Sequence, residues 1–245
     1  MRIFLCGGGD GEQTRMANQR LDQIVDHTKP LLYIPLAMEG NYESCQKWIQ
    51  GELREVRVPA IEMVRSVEEL FKKELEKYSA IFIGGGNTYK LLRDLKTSGC
   101  FGKIKAYIEN DGIVFGGSAG AILFGYDIDS CASMDKNEVG LMDTKGFDVL
   151  NGMSLFAHYM NKSSCLSEKE NEARTAEYTK ALLHFSETRG PVIALPEEDT
   201  LFLNGLAIEI IGDSPYYLFE NGNRQELHPK MPITWKRTRN KIRGT

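Results

Sequence analysis

Residues 113–121 read Ile113-Val-Phe-Gly-Gly-Ser-Ala-Gly-Ala121: a short apolar run, two glycines, and a serine among small residues. The run is too short for a helix, lacks polar alternation and is β-branched and aromatic. It therefore reads as a strand buried on both faces, as in a parallel sheet covered by helices on both sides. The same unit occurs twice more, as Ile3-Phe-Leu-Cys6 before Gly7-Gly-Gly9 and as Ala80-Ile-Phe-Ile83 before Gly84-Gly-Gly86. One glycine after a strand is ordinarily a tight turn. Three repeats point instead to a shared site, because ligands of open parallel sheets bind beyond the carboxyl ends of the strands, where backbone must approach closely.

The intervening segments predict helices. Residues 14–27 carry Met16, Leu21, Ile24 and Val25 on helical spacing, and Ser66-Val-Glu-Glu69 is a capping-box pattern opening a helix to about Lys77. Asn87-Thr88 caps a helix that buries Leu91, Leu92 and Leu95, and residues 101–110 turn Ile104, Tyr107 and Ile108 inward. Further strands are expected at residues 31–35 and 56–59. Strands alternating with helices make the first 125 residues a doubly wound, mostly parallel α/β sheet flanked by helices. Toward the C-terminus, Ser167-Glu-Lys-Glu170 opens a helix to about Glu187. Extra short strands follow at 192–195, 201–203, 207–211, 216–219 and 225–227, with hairpin signals at Asn204-Gly205 and Asn221-Gly222. With no linker-like composition break, residues 1–245 are expected to form one α/β domain, with 236–245 a basic, solvated tail.

Composition limits the function classes. The 245 residues carry a formal net charge of −4 and five cysteines without a close pair, which fits neither a disulfide framework nor a CxxC metal site. No apolar run approaches the roughly 18–20 residues of a membrane span, and the N-terminal run is shorter than the roughly 7–15 residues of a signal-peptide core. A cytoplasmic protein is expected, without cofactor, acting on a small molecule and not on nucleic acid or membrane. Any self-association is expected to be a homodimer.

Gly116-Gly-Ser-Ala-Gly120 matches G-x-S-x-G, in which a strained strand-to-helix turn lifts the serine hydroxyl above the sheet and the following amide faces a developing oxyanion. The alternative for Ser118 is a helix cap in a glycine-rich turn. A nucleophilic serine needs a base. Of His27, His158, His184 and His228, His158 best fits a strand-end position beyond the sheet core. The orienting acid stays open: Glu197 or Glu198 follows a buried strand, while Asp135, Asp143 and Asp148 lie between serine and histidine. With Glu197 the chain order is serine, histidine, acid, which is not that of α/β-hydrolases.

Together, Ile81-Phe-Ile-Gly-Gly-Gly-Asn-Thr88 and Gly116-Gly-Ser-Ala-Gly-Ala121 resemble the peptidase E (aspartyl dipeptidase) family of serine peptidases, within the class I glutamine-amidotransferase-like fold. The likeness extends through Gly146-Phe-Asp148, His158-Tyr-Met-Asn161 and Leu195-Pro-Glu197, from about residue 30 to 220. It implies Ser118 as nucleophile, His158 as general base and Glu197 as acid, with Asp135 the rival. It further implies Gly86 and Ala119 amides as oxyanion hole, and Arg174 and Asn87 as substrate-binding residues, Arg174 reading an aspartyl carboxylate.

The function to expect is hydrolysis of small peptides, Asp-X dipeptides among them, through an acyl-enzyme. A cyanophycinase-like β-aspartyl peptidase and a non-catalytic binding protein of the same fold are the alternatives. A dinucleotide fingerprint fails at Glu12 and no GK[ST] is present. The serine in place of cysteine argues against amidotransfer.

Overall fold

The computed structural model describes residues 1–38 and 40–229. The basic stretch 236–243 lies outside the described residues. Strands β1 (Arg2–Cys6), β2 (Leu31–Ile34), β3 (Ile61–Met63), β4 (Ala80–Ile83) and β5 (Ile113–Gly117) alternate with helices α1 (Arg15–Asp22), α2 (Tyr42–Glu52), α3 (Val67–Lys72), α4 (Thr88–Thr97) and α5 (Cys100–Glu109). The short α6 (Ala119–Ile122) leaves β5 directly. After β6 (Ser154–Phe156) come α7 (Glu168–Thr188), β7 (Val192–Ala194), β8 (Thr200–Asn204), β9 (Ala207–Ile211), β10 (Tyr216–Glu220) and β11 (Asn223–Leu227).

The main sheet has the order β3-β2-β4-β5-β1-β8-β9, parallel from β3 to β1. The three strands that precede glycine clusters, β4, β5 and β1, are immediate neighbours. Being parallel, they deliver Gly84, Ser118 and Gly7 to one edge. Their interior positions are fully buried, as expected for strands covered on both faces.

The C-terminal strands do not extend a single sheet. The β8–β9 hairpin adds two antiparallel strands beside β1. By contrast, β10–β11 joins β7 and β6 in a second, four-stranded sheet in which only β6 and β7 run parallel. Both hairpin signals are used. Asn221 (φ 51) and Gly222 (φ 72) form a two-residue turn with both residues at positive φ, whereas the other turn is shifted by one residue, to Gly205-Leu206.

Local readings fail where tertiary packing outweighs pattern. The first helix ends at Asp22 and leaves Met16 52% exposed, because Ala17, Asn18 and Leu21 carry its buried face. The strand expected at 56–59 lies at Ile61–Met63, where it pairs with β2. The Ser66 helix stops at Lys72, its hydroxyl accepting from the Glu69 amide. Ser167 and Glu170 form the full reciprocal box at the start of α7.

Asp199, beside the β8 entrance, is fully buried. Its carbonyl accepts from the Gly7 amide (2.9 Å), its Oδ1 from the Ser214 amide (3.3 Å), and its Oδ2 has no partner among the described residues. Burial, reinforced by the Glu198 and Asp213 charges and opposed by the Ser214 amide, pushes its carboxyl up to about 7. The native state therefore keeps a proton that the unfolded chain releases near pH 4. Stability contributed by this group falls as pH rises from about 4 to 7, by at most about 4 kcal/mol. Asp199→Asn should accordingly be more stable than wild type at pH 8 and close to it at pH 5. Denaturant unfolding at both pH values checks this, and a difference that does not widen with pH contradicts it.

Candidate active site

Ser118 stands where β5 turns into α6 with φ 53 and ψ −116, a backbone region that costs a non-glycine residue about 1–3 kcal/mol. The flanking glycines make that turn possible. A Cβ on Gly116 would lie 2.4 Å from the Gly120 carbonyl oxygen, and one on Gly120 would lie 2.1 Å from the Ile83 oxygen. The Ser118 amide donates to Cys6 O at the end of β1 (3.2 Å).

His158 and Glu197 come from the second sheet. They follow β6 and β7, which are parallel neighbours, so both side chains leave the same end. Ser118 Oγ lies 2.8 Å from His158 Nε2, and His158 Nδ1 lies 2.7 Å from Glu197 Oε1. An ionised carboxylate only accepts, so the proton sits on Nδ1 and Nε2 is left to accept from the serine hydroxyl. The His158 hydrogen bond, aided by Gln13 Nε2 and the charge of Arg174, holds the Glu197 carboxyl below the usual carboxylate range. The imidazole and carboxylate side chains are 29% and 27% exposed, open to a substrate.

The Gly7–Gly9 cluster fastens the two sheets together at this point. Gly7 O accepts from the His158 amide (2.8 Å), and the Gly9 amide donates to Glu197 O (3.2 Å). Gly8 (φ +124) lies against the imidazole: a Cβ there would be 2.2 Å from His158 Cε1. This role was not readable from the sequence, although the cluster itself was. Asn161 is a second residue whose role sequence reasoning missed; its Oδ1 accepts from the Glu197 amide (2.8 Å). The positive φ of His158 (56) and Met160 (66) carried no sequence signal at all.

The β4–α4 loop closes the other side. A Cβ on Gly85 would be 3.2 Å from Ser118 Cβ, and Gly86 (φ +132) leaves no room for a side chain, with Ala37 O 2.4 Å from a Cβ position. Neither the Gly86 nor the Ala119 amide has a protein acceptor among the described residues.

The other candidate acids stand elsewhere. Asp135 Oδ2 accepts from the Thr88 amide (2.8 Å) and hydroxyl (2.6 Å), which anchors the start of α4 and keeps the carboxylate off His158. Asp143 pairs with Lys96 (2.7 Å), Asp148 accepts from the Gly152 amide (2.6 Å), and Glu198 is exposed. Asn87, expected to bind substrate, has its side chain committed to the protein: Oδ1 caps α4 at the Lys90 amide (2.9 Å) and Nδ2 donates to Lys136 O (2.9 Å). Arg174, on α7, donates through Nη2 to Asn161 O (2.7 Å) and Asn171 Oδ1 (3.0 Å). Its Nε and Nη1 have no acceptor among the described residues.

Among the described residues no group of His, Cys, Asp and Glu could hold a metal ion, and no helix is long and apolar enough to cross a membrane. Such an arrangement can carry an acyl group on a serine, move a proton through an imidazole, and present two amides to an oxyanion.

Known proteins resemble this chain in sequence and in fold. The pattern of peptidase family S51 matches residues 3–211. Peptidase E of Pasteurella multocida is 29% identical over 206 residues, covering 81% of this chain and 82% of that protein. Peptidase E of a Shewanella species (strain ANA-3) is 28% identical over 223 residues, covering 89% of each. In fold, the crystal structure of a peptidase from an acI-B1 Actinobacterium superposes with a TM-score of 0.70 at 17% identity, covering 96% of both chains.

Proposed function

The chain belongs to peptidase family S51 and is a serine-type peptidase, and from that premise we propose that it cleaves Asp-X dipeptides through an acyl-enzyme on Ser118. One observation carries the reading: the unbroken line from Ser118 Oγ through His158 to Glu197, at 2.8 and 2.7 Å.

In this reading His158 Nε2 takes the serine proton as Oγ attacks the peptide carbonyl carbon. Glu197 holds the ring in the required tautomer and stabilises the imidazolium, and the Gly86 and Ala119 amides receive the oxyanion. His158 then protonates the departing amine. A water molecule, deprotonated by the same nitrogen, hydrolyses the ester and returns Ser118. The unclaimed Nε and Nη1 of Arg174, one residue from Glu197 through Asn161, suit a carboxylate of the substrate, which supports the aspartyl preference.

A fluorophosphonate probe tests the nucleophile. It should label the folded protein once, at Ser118; absence of labelling, or labelling that persists in Ser118→Ala, contradicts the reading. For specificity, Arg174→Ala should raise KM for Asp-X dipeptides by about 10- to 100-fold, the effect of losing a charge-assisted pair, and much less for Ala-X. Equal loss on both series would show that Arg174 supports the site and does not read the substrate.

A further inference from the structure

A cavity of about 360 Å³ opens beside Ser118 and His158 and runs between the main sheet and α2. Its walls include Tyr33 from β2, Phe82 from β4 and Phe115 from β5, faced by Trp48 of α2, with Met38 before that helix. The rings are fixed by one another. Phe82 and Phe115 stack with centroids 4.7 Å apart, while Tyr33 and Trp48 meet Phe82 edge-on at 5.7 and 5.9 Å. Trp48 and Met38 remain 37% and 39% exposed, apolar groups left facing open space.

The charge of the cavity is equally informative. No Lys or Arg among the described residues lines it. Its one carboxylate among the described residues, Glu52, is already occupied: Oε1 accepts from the Thr14 hydroxyl and from Asn18 Nδ2 (2.7 Å), and Oε2 from the Gly11 backbone amide (2.8 Å). An acidic side chain entering here would lose water, find no cation and meet a negative charge. An apolar one would gain what its buried area gives.

We propose that this cavity is the subsite for residue X, and that it takes an uncharged apolar side chain, aromatic ones foremost. This rests on the serine-peptidase reading for its place beside the scissile bond. It separates the two recognition tasks in space, a carboxylate at Arg174 and an apolar side chain against Trp48, since Arg174 does not line the cavity.

The test uses Trp48 as its own reporter. The chain has two tryptophans, so the Ser118→Ala protein carrying Trp235→Phe leaves Trp48 as sole emitter. It is titrated with Asp-X and Ala-X dipeptides, with X being Phe, Leu, Ala, Asp or Lys. Phe and Leu peptides should perturb Trp48 emission and bind about 10- to 100-fold more tightly than their Ala counterparts, as burial of a large apolar side chain requires, with X as Asp weakest.

In otherwise wild-type enzyme, Trp48→Ala should narrow the Phe-to-Ala ratio of kcat/KM about tenfold. Met38→Lys, at a position 39% exposed on the cavity wall, should shift preference toward X as Asp. Affinities that are flat across X, or emission unmoved by every peptide, overturn the proposal. Preference for apolar X in the Ala-X series alone would sustain the cavity and remove the Arg174 assignment. Apolar preference in binding without turnover by wild type would sustain the cavity and remove the peptidase mechanism.

Discussion

Ser118→Ala should lower kcat for dipeptide hydrolysis by roughly 10,000- to 1,000,000-fold, the range seen when the nucleophile of a serine triad is removed. The substitution isolates chemistry from folding unusually well. Alanine faces the same positive-φ strain as serine at this turn, so the backbone of the elbow is not relieved or worsened. The hydroxyl caps no helix, and its bond is to His158 Nε2. Unfolding midpoints should therefore stay near wild type, and KM should change little. Steady-state kinetics with a matched thermal melt check this. Residual activity above a few per cent of wild type, in protein free of contaminating peptidase, would mean that the acyl group is carried elsewhere or that water attacks directly. The thiol of Cys6, which also lines the cavity, offers no substitute, because burial pushes it up to about 11.

The second large effect separates the two acids. Glu197→Gln keeps side-chain length but can place an N–H toward His158 Nδ1. The ring then carries its proton on Nε2, where Ser118 Oγ–H needs an acceptor. A loss of about 10,000-fold in kcat is the expected outcome for this tautomer error. Asp135→Asn should behave differently. Its amide oxygen, placed where Oδ2 stands, can still accept both bonds from Thr88, at 2.8 and 2.6 Å in wild type, but without the negative charge, so the start of α4 is weakened and not released. The change should lower stability by about 1–2 kcal/mol and kcat by less than about tenfold, through the neighbouring Gly86 loop. Parallel kinetics and denaturant melts distinguish the outcomes. A collapse of kcat in Asp135→Asn with Glu197→Gln nearly intact would reverse the assignment.

Much of the fold was legible because short, unalternating apolar runs before glycine clusters have few physical interpretations. The runs at 3–6, 80–83 and 113–115 became the cores of β1, β4 and β5, the last extending through Gly117. Capping side chains at Asn87 and Ser167 marked true helix starts for the same reason: the exposed amides of a first turn need acceptors, and these residues supply them locally. Signals failed where a distant partner decided. The strand Ile61–Met63 exists because β2 offers it an edge, and Met16 is exposed because neighbouring residues already fill the groove under α1.

For the site, the sequence by itself determined that Ser118 stands on a strained turn flanked by obligatory glycines, since that chemistry is contained within five consecutive residues. It narrowed the base to His158 among four and left the acid among several carboxylates. Tertiary structure alone decided the rest. Glu197 reaches His158 because β6 and β7, 38 residues apart at their first positions, are parallel neighbours, and hydrogen-bonded register is a property of space and not of chain order. Gly8 bears on the imidazole because β1 lies beside β5 and meets the second sheet through Gly7. The aromatic cavity is likewise assembled from β2, β4 and β5, which read as ordinary buried strands in isolation, and from α2, a helix that the sequence reading did not find. A buried side chain has the same sequence signature whether it faces another side chain or an open cavity, and only the packing of all four elements tells the two apart.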